Sequence, residues 1–159
     1  MAIEFIVEDG TGKADATSYV TIAEYQQYWL NRGVDYSSTA DATIQGYLNA
    51  ATEYIDNGYN FIGESTNSDQ ALEWPRFGVI DRFGEAVEED IIPQKIKDVV
   101  CYMAAQVVDG INQIDEGVNS VTYGKISKSY STNGVKNYPA ADKMLKRYIA
   151  AGNNLVRVN

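Results

Sequence analysis

Apolar residues recur at helical spacing in the first part of the chain, where two helices are predicted. Thr21 and Glu24 have the spacing of a capping box, and the apolar positions after them repeat every three or four residues until Gly33. A longer repeat begins near Thr39–Asp41 and ends at Gly58, a residue type that commonly follows the last turn of a helix. This second helix has the clearest pattern in the sequence.

Two further helices are predicted to begin at prolines, because proline favours the first turn of a helix. Pro93 follows the acidic residues 88–90, whose charge suits the positive N-terminal end of a helix dipole. Pro139 opens the last helix, which we expect to continue to about Gly152. Opposite its apolar stripe this helix carries three basic residues at neighbouring helical positions, Lys143, Lys146 and Arg147.

The remaining segments lack helical periodicity. Residues 59–91 are loop-like, and residues 117–137 alternate apolar and polar positions before the turn signal Asn133-Gly134, which favours a hairpin or a projecting loop. We therefore expect one mainly α domain, a subunit resembling a four-helix bundle with a β-hairpin or loop insertion before the last helix. Its parts are a short extended N-terminal arm over 1–19, an acidic helical core over 20–116, the hairpin or loop over 117–137, a basic C-terminal helix over 138–152 and a docking tail over 153–159.

The third predicted helix is apolar on more than one side. One stripe runs along the helix from Ile92, and the opposite side becomes apolar at Cys101, Ala105 and Val108. A helix that is apolar nearly all round is covered on several sides. Two interpretations stay open: a neighbouring subunit covers the second side, or the helix lies at the centre of the bundle.

Composition places the chain among ordinary globular proteins. A length of 159 residues suits a single domain, and 45% of the residues are hydrophobic while 22% are charged. No apolar run approaches membrane-spanning length and the first residues lack a basic stretch, so we expect neither a membrane span nor a secretory leader. The lone Cys101 rules out an intramolecular disulfide and fits a reducing cytosol. Tyrosine is abundant at 12 residues, which suits either an interface or the core.

The charge is distributed unevenly along the sequence. Residues 1–116 carry 21 acidic and 6 basic residues, whereas residues 117–159 carry 1 acidic and 7 basic residues. Such asymmetry indicates a tail or face that meets an acidic partner, although the basic residues could simply offset the acidic remainder within one fold. The acidic bulk makes a non-specific DNA-coating protein a poor fit.

The candidate chemical motifs are weak. The absence of histidine excludes Ser-His-Asp and Cys-His catalysis and histidine-containing zinc sites. The run Gly10-Thr11-Gly12-Lys13 resembles a phosphate-binding loop but lacks the required spacing. Adjacent acidic residues such as Glu8-Asp9 are expected to be solvated turns rather than a catalytic pair or a calcium site. Cys101 lies among apolar residues, so we expect a buried, inert thiol.

Several motifs together resemble the head–tail connector (adaptor) proteins of tailed bacteriophages. The opening Val-Glu-Asp-Gly-Thr-Gly over 7–12 and Asp15-Ala-Thr-Ser-Tyr-Val are the first of them, and Ala-Thr-Glu-Tyr-Ile-Asp over 51–56 follows. The most distinctive is Gln-Ala-Leu-Glu-Trp-Pro-Arg over 70–76. Ile92-Pro93 with Ile-Lys-Asp over 96–98 and Tyr-Pro-Ala-Ala-Asp over 138–142 complete the set, in the expected order over most of the chain. Some relatives are catalogued as DnaT-like single-stranded-DNA-binding proteins. The segment 117–137 departs from the resemblance.

The resemblance implies a structural protein of the virion neck, made in the host cytoplasm. Such a subunit joins a ring, of twelve copies, beneath the portal protein, extends the DNA channel and offers a platform to tail-completion, stopper or tail tube proteins. Genomic DNA would pass through the channel without specific binding, because an acidic wall does not hold phosphates. The resemblance implies no enzymatic activity, catalytic residue, cofactor, metal or membrane contact.

Specific residues can be assigned to these expected contacts. For portal docking, cations would attract the subunit to the portal protein and apolar side chains would supply the buried area of the contact. The residues are Lys143, Lys146, Arg147, Leu155, Val156, Arg157 and Val158. For the interface between subunits, the residues are Cys101, Ala105, Val108, Trp74, Pro75 and Arg76. For the tail-side loop, they are Tyr123, Lys125, Lys128 and Tyr130.

Two other functions are compatible with parts of the sequence. A DnaT-like replication accessory protein would bind single-stranded DNA through the C-terminal cations, with a steep salt dependence. A small carboxylate-based hydrolase would need a cleft between paired acids, for which the sequence offers only adjacency. An assay of DNA binding at about 150 mM salt separates the connector from the DNA-binding protein, since exposed charges are substantially screened there.

Overall fold

The computed structural model describes residues 2–108, 120–123, 126–130 and 136–151. In these residues the helices are α1 (Ile22–Leu30), α2 (Asp41–Gly58), α3 (Gln94–Val108) and α4 (Pro139–Leu145). The strands are β1 (Glu64–Ser65), β2 (Arg76–Phe77), β3 (Ser120–Tyr123), β4 (Ile126–Tyr130) and β5 (Lys136–Asn137). Strand β1 pairs with β2, and β4 lies between β3 and β5, all antiparallel. The predicted mainly α fold with a small hairpin before the last helix is confirmed.

Local signals explain where α1 and α2 begin. The Thr21 hydroxyl accepts a hydrogen bond from the backbone N–H of Glu24, and the Glu24 carboxylate accepts one from the N–H of Thr21, so the capping box is confirmed. Helix α2 begins at Asp41, whose charge complements the helix dipole. Gly58 is the last residue of α2 rather than the first one beyond it.

Helix α3 lies at the centre of the fold and packs against α1, α2 and α4. Ile96, Val99 and Met103 are completely buried on it, and Cys101 is buried as well. The Trp29 indole of α1 donates a hydrogen bond to the backbone carbonyl of Cys101 at 3.0 Å. The structure therefore supports the interpretation of α3 as the central helix, covered by the subunit's own elements.

The abundance of tyrosine is explained by the core. Ten tyrosine side chains are described, and each is either buried in the core or packed against it. Several take part in edge-on or tilted ring contacts, such as Tyr25 with Tyr36 at 5.0 Å between ring centroids. Tyrosine supplies large apolar area together with a hydroxyl that can be satisfied at the edge of the core.

Helix α4 ends at Leu145, earlier than the predicted end near Gly152. The chain beyond it pairs with residues 60–62 instead of continuing the helix. Ile149 bridges Phe61, and the Tyr148 carbonyl accepts a hydrogen bond from the N–H of Ile62 at 2.9 Å. This pairing satisfies the backbone N–H and C=O groups of two segments that are distant in sequence. Helical periodicity in the sequence cannot reveal such a long-range pairing.

The N-terminal residues form the expected extended arm, which folds back on itself. Val7 bridges Ser18, and the N–H of Glu8 donates to the Ser18 carbonyl at 2.8 Å. Among the described residues, no helix combines the length and the apolar character needed to cross a membrane.

Candidate nucleic-acid interface

Three basic side chains of α4 and the turn after it lie together on the surface. Lys143, Lys146 and Arg147 are all exposed, while Ala141 and Leu145 on the inner side are buried. The backbone at Lys146 keeps right-handed helical angles, so residues three and four apart remain neighbours. We call Lys143, Lys146 and Arg147 the α4 cation patch.

The α4 cation patch has no partner among the described residues. No hydrogen bond or ion pair joins any of its three side chains to another described group. The nearest acid in the sequence, Asp142, is engaged elsewhere, since its carboxylate accepts a hydrogen bond from the Tyr59 hydroxyl at 2.6 Å. Unpaired cations at neighbouring positions can bind an anion with several charges, such as a phosphate backbone.

The cations of the acidic core are used differently. Lys13 pairs with Asp9, and Lys97 pairs with Glu24 at 2.9 Å. Lys95 lies 3.8 Å from Asp98. Within the part of the chain that the structure describes, a cluster of unpaired surface cations therefore occurs on α4 and the turn after it and is not repeated on the acidic core.

Arg76, assigned from the sequence to a subunit interface, is a clamp inside the subunit. Its guanidinium donates hydrogen bonds to the carbonyls of Ile62 and Gly63 and forms a 2.7 Å ion pair with Glu73. Its side chain joins the segment before β1 to the segment before β2. Only 8% of the residue is exposed.

The other residues assigned to the subunit interface are also used within the fold where they are described. Trp74 is completely buried and its ring meets those of Phe61 and Tyr148 edge-on. Pro75 and Ala105 are buried, and burial raises the pKa of the Cys101 thiol, as expected for an inert cysteine. Contacts of these residues with a second copy stay a prediction.

Several assigned residues lie at or beyond the limits of the described chain. Tyr123 lies in β3, and Lys128 and Tyr130 lie in β4, in the predicted hairpin. Val108 is the last residue of α3. Lys125, Leu155, Val156, Arg157 and Val158 lie outside the described residues, so the roles expected for them stay predictions.

The loop that resembles a phosphate-binding motif is filled by a carboxylate of the same chain. Glu8 is 1% exposed, and its two oxygens accept hydrogen bonds from the backbone N–H groups of Gly10, Gly12 and Lys13 at 2.7–2.9 Å. Successive N–H groups of this kind form an anion-binding nest. Because Glu8 occupies it, the nest is closed to a phosphate, and the expectation of a solvated turn is wrong for this residue.

A second buried carboxyl links three separate segments. Asp56 of α2 accepts hydrogen bonds from the Tyr19 hydroxyl at 2.8 Å and from the N–H of Glu73 at 3.1 Å. The Tyr19 oxygen accepts in turn from the N–H of Trp74. Burial outweighs these hydrogen bonds and raises the pKa of Asp56 to about 7. Because the carboxyl fastens the arm and the Trp74 segment to α2, we interpret it as structural.

The described residues do not assemble a metal site, since no three acidic or cysteine side chains among them converge as metal ligands. The candidate site that emerges from the geometry is therefore the α4 cation patch. Sequence reasoning found its residues by their helical spacing. It could not show that these three side chains have no acidic partner among the described residues.

A family model described as "Putative DnaT-like ssDNA binding protein" matches residues 3–159. The chain belongs to this family. Membership agrees with the catalogued description of some relatives, and it favours the DNA-binding alternative of the sequence analysis. The comparisons give no support to the head–tail connector family. Searches of curated proteins and of solved structures found no match to the chain.

Proposed function

We propose that this protein binds single-stranded DNA through the α4 cation patch. The observation that carries the proposal is that Lys143, Lys146 and Arg147 are exposed neighbours without an acidic partner among the described residues. A single-stranded phosphate backbone supplies the repeated negative charge that such a patch attracts. The description of the family supports the same ligand.

The negative charge of the acidic core limits where DNA can bind and how tightly it binds. The chain carries a formal net charge of −9, so most of its surface repels nucleic acid and the contact is centred on the basic C-terminal part. Lys125, Lys128 and Arg157 belong to that part by sequence and would extend the contact. We propose binding without catalysis and without a cofactor, of moderate affinity and strong salt dependence.

The proposal is tested by comparing two charge-matched double variants of the full chain. The K146A/R147A variant removes two patch cations, and the R32A/K95A variant removes two exposed cations from the acidic core. Affinity for a fluorescent dT oligonucleotide is measured by anisotropy at about 50 mM salt, where electrostatic contacts are strong. We expect a loss of affinity with the first variant only. Equal losses with both variants would mean that net charge alone acts, and the proposal would fail.

A second candidate function is the head–tail connector. Exposed apolar side chains on α1 and just after it favour it, because Leu30 is 54% exposed and Val34 is 40% exposed. Exposed apolar side chains of this kind suit contacts with other proteins. In this candidate the subunit forms a ring under a portal protein in the virion neck, contacts tail-completion proteins and surrounds the passing genome.

The connector candidate has a test of its own. The mass of the purified protein is measured alone and after mixing with portal protein, for the full chain and for a chain lacking residues 153–159. A stable complex that is lost on deletion, with an unchanged circular dichroism spectrum, supports the connector. Absence of a complex with the full chain contradicts it.

A further inference from the structure

A loop beside the α4 cation patch presents an exposed aromatic ring. Residues 79–87 form a tight return in which the N–H of Val87 donates to the carbonyl of Val79 and the N–H of Asp81 donates to that of Glu85, both at 2.8 Å. Phe83, at the tip of this loop, is 73% exposed, more than any other large apolar residue described. The fold therefore leaves most of the surface of this ring open to a partner.

The tip of the loop is held in place. The Asp81 carboxylate accepts hydrogen bonds from the N–H groups of Phe83 and Glu85 at 2.8 and 3.0 Å. Gly84 has a φ of +84°, a left-handed angle that glycine adopts without strain. At the base of the loop, Val79 is completely buried. The ring is therefore presented on an ordered turn rather than on a free tail.

One cation lies against this ring, and a cation of the patch lies near the same part of the fold. The Arg82 guanidinium carbon is 4.4 Å from the centroid of the Phe83 ring. Arg147, of the patch, immediately precedes Tyr148. Burial raises the pKa of Tyr148, and Asp81, Arg82 and Arg147 are close enough to act on it electrostatically.

The backbone ties the two segments together as well. The carbonyl of Ile62 receives a hydrogen bond from the Arg76 side chain, and the N–H of the same Ile62 bonds to the carbonyl of Tyr148. The ring of Tyr148 packs edge-on against Trp74 at 5.7 Å between centroids. The turn after α4 and β2, the strand that leads into the loop, therefore both bond to Ile62.

We propose that Phe83 is a stacking platform for a base of single-stranded DNA, with Arg82 and Arg147 holding the adjoining phosphates. This inference rests on the proposed function and names a contact that cations alone do not provide. An aromatic face stacks on any base, so the contact favours exposed bases without reading sequence. A duplex, whose bases are already stacked, offers no free face to the ring.

The test uses two oligonucleotides of equal length, a dT oligomer and an abasic oligomer that keeps the phosphates and lacks the bases. The full chain is compared with Phe83→Ala and with Leu30→Ala, a control that removes a comparably exposed apolar side chain from α1. We expect Phe83→Ala to lower the affinity for dT roughly 5- to 150-fold. Its affinity for the abasic oligomer should equal that of the wild type. Phe83→Trp should restore dT binding, and Leu30→Ala should change neither affinity.

Failure of this inference is distinguishable from failure of the proposed function. If Phe83→Ala binds dT as the wild type does while K146A/R147A does not, the stacking platform is overturned and the cation patch stands. If Phe83→Ala loses both oligomers equally, the ring acts other than by stacking, which also overturns it. If the wild type binds neither oligomer, the proposed function falls and the inference with it.

Discussion

At the scale of single residues, the buried carboxylate of Glu8 organises the loop that follows it. Its carboxylate takes the place that a bound anion would take, because three backbone N–H groups of one loop point at its oxygens. In the sequence, the glycines and the lysine of this loop are the residues that resemble a phosphate-binding motif. The residue that organises them stands before the motif, and a carboxylate two residues ahead of Gly-x-Gly is the signal that could have revealed it.

We expect Glu8→Ala to lower the free energy of unfolding by roughly 2–4 kcal/mol, because it leaves several backbone donors without a charged acceptor. Urea unfolding followed by circular dichroism measures the change. Glu8→Gln, which keeps one acceptor oxygen, should cost less. The exposed Glu4→Ala serves as the control, and a stability of Glu8→Ala equal to that of Glu4→Ala would show that the nest is not structural.

Asp56 makes stability depend on pH. Its pKa of about 7 in the folded state lies above its ordinary value of 3.8, so the folded chain binds this proton more tightly than the unfolded chain. The stability that the protonated carboxyl contributes is fully present below about pH 4 and is lost as the pH rises through about 7.

In urea titrations, the unfolding free energy of the wild type minus that of Asp56→Asn should therefore decrease as the pH is raised from 4 to 7. Asp41→Asn, an exposed substitution on the same helix, controls for the general charge effect. A difference independent of pH would contradict the raised pKa.

At the scale of the elements, the start of α1 is fixed by the Thr21 side chain. Thr21→Ala should lower the free energy of unfolding by about 1 kcal/mol, the usual loss for a removed N-cap. Thr43→Ala, at an exposed position in the first turn of α2, is the matched control. Equal stabilities of the two variants in thermal unfolding would show that the capping box contributes nothing.

Local chemistry decided which elements could be predicted. Thr21 and Glu24 signal α1 because both partners of the box lie within one turn, and the spacing of apolar residues signals α2 in the same way. The end of α4 could not be predicted, because Tyr148 and Ile149 leave the helix to pair with residues 60–62. The Arg76 clamp was missed for the same reason, since its acceptors lie more than ten residues away.

At the scale of the whole molecule, charge separates the chain into two parts with different chemistry. The acidic core pairs several of its own cations, whereas the α4 cation patch meets no acid among the described residues. The sequence predicted both the asymmetry and the residues of the patch. The approach of the loop that carries Phe83 to the patch was not predictable, because residues 60–62 bond both to the chain after α4 and to Arg76 of β2, the strand that leads into that loop.

DNA binding by the α4 cation patch is tested most directly by the salt dependence of binding to a dT oligonucleotide. For single strands, each cation that neutralises a phosphate contributes about 0.7 to the slope of log affinity against log salt concentration. We expect K146A/R147A to lower this slope by about 1.4 relative to wild type, while R32A/K95A leaves it unchanged. An equal slope for wild type and K146A/R147A would contradict the claim that DNA is held by the α4 cation patch.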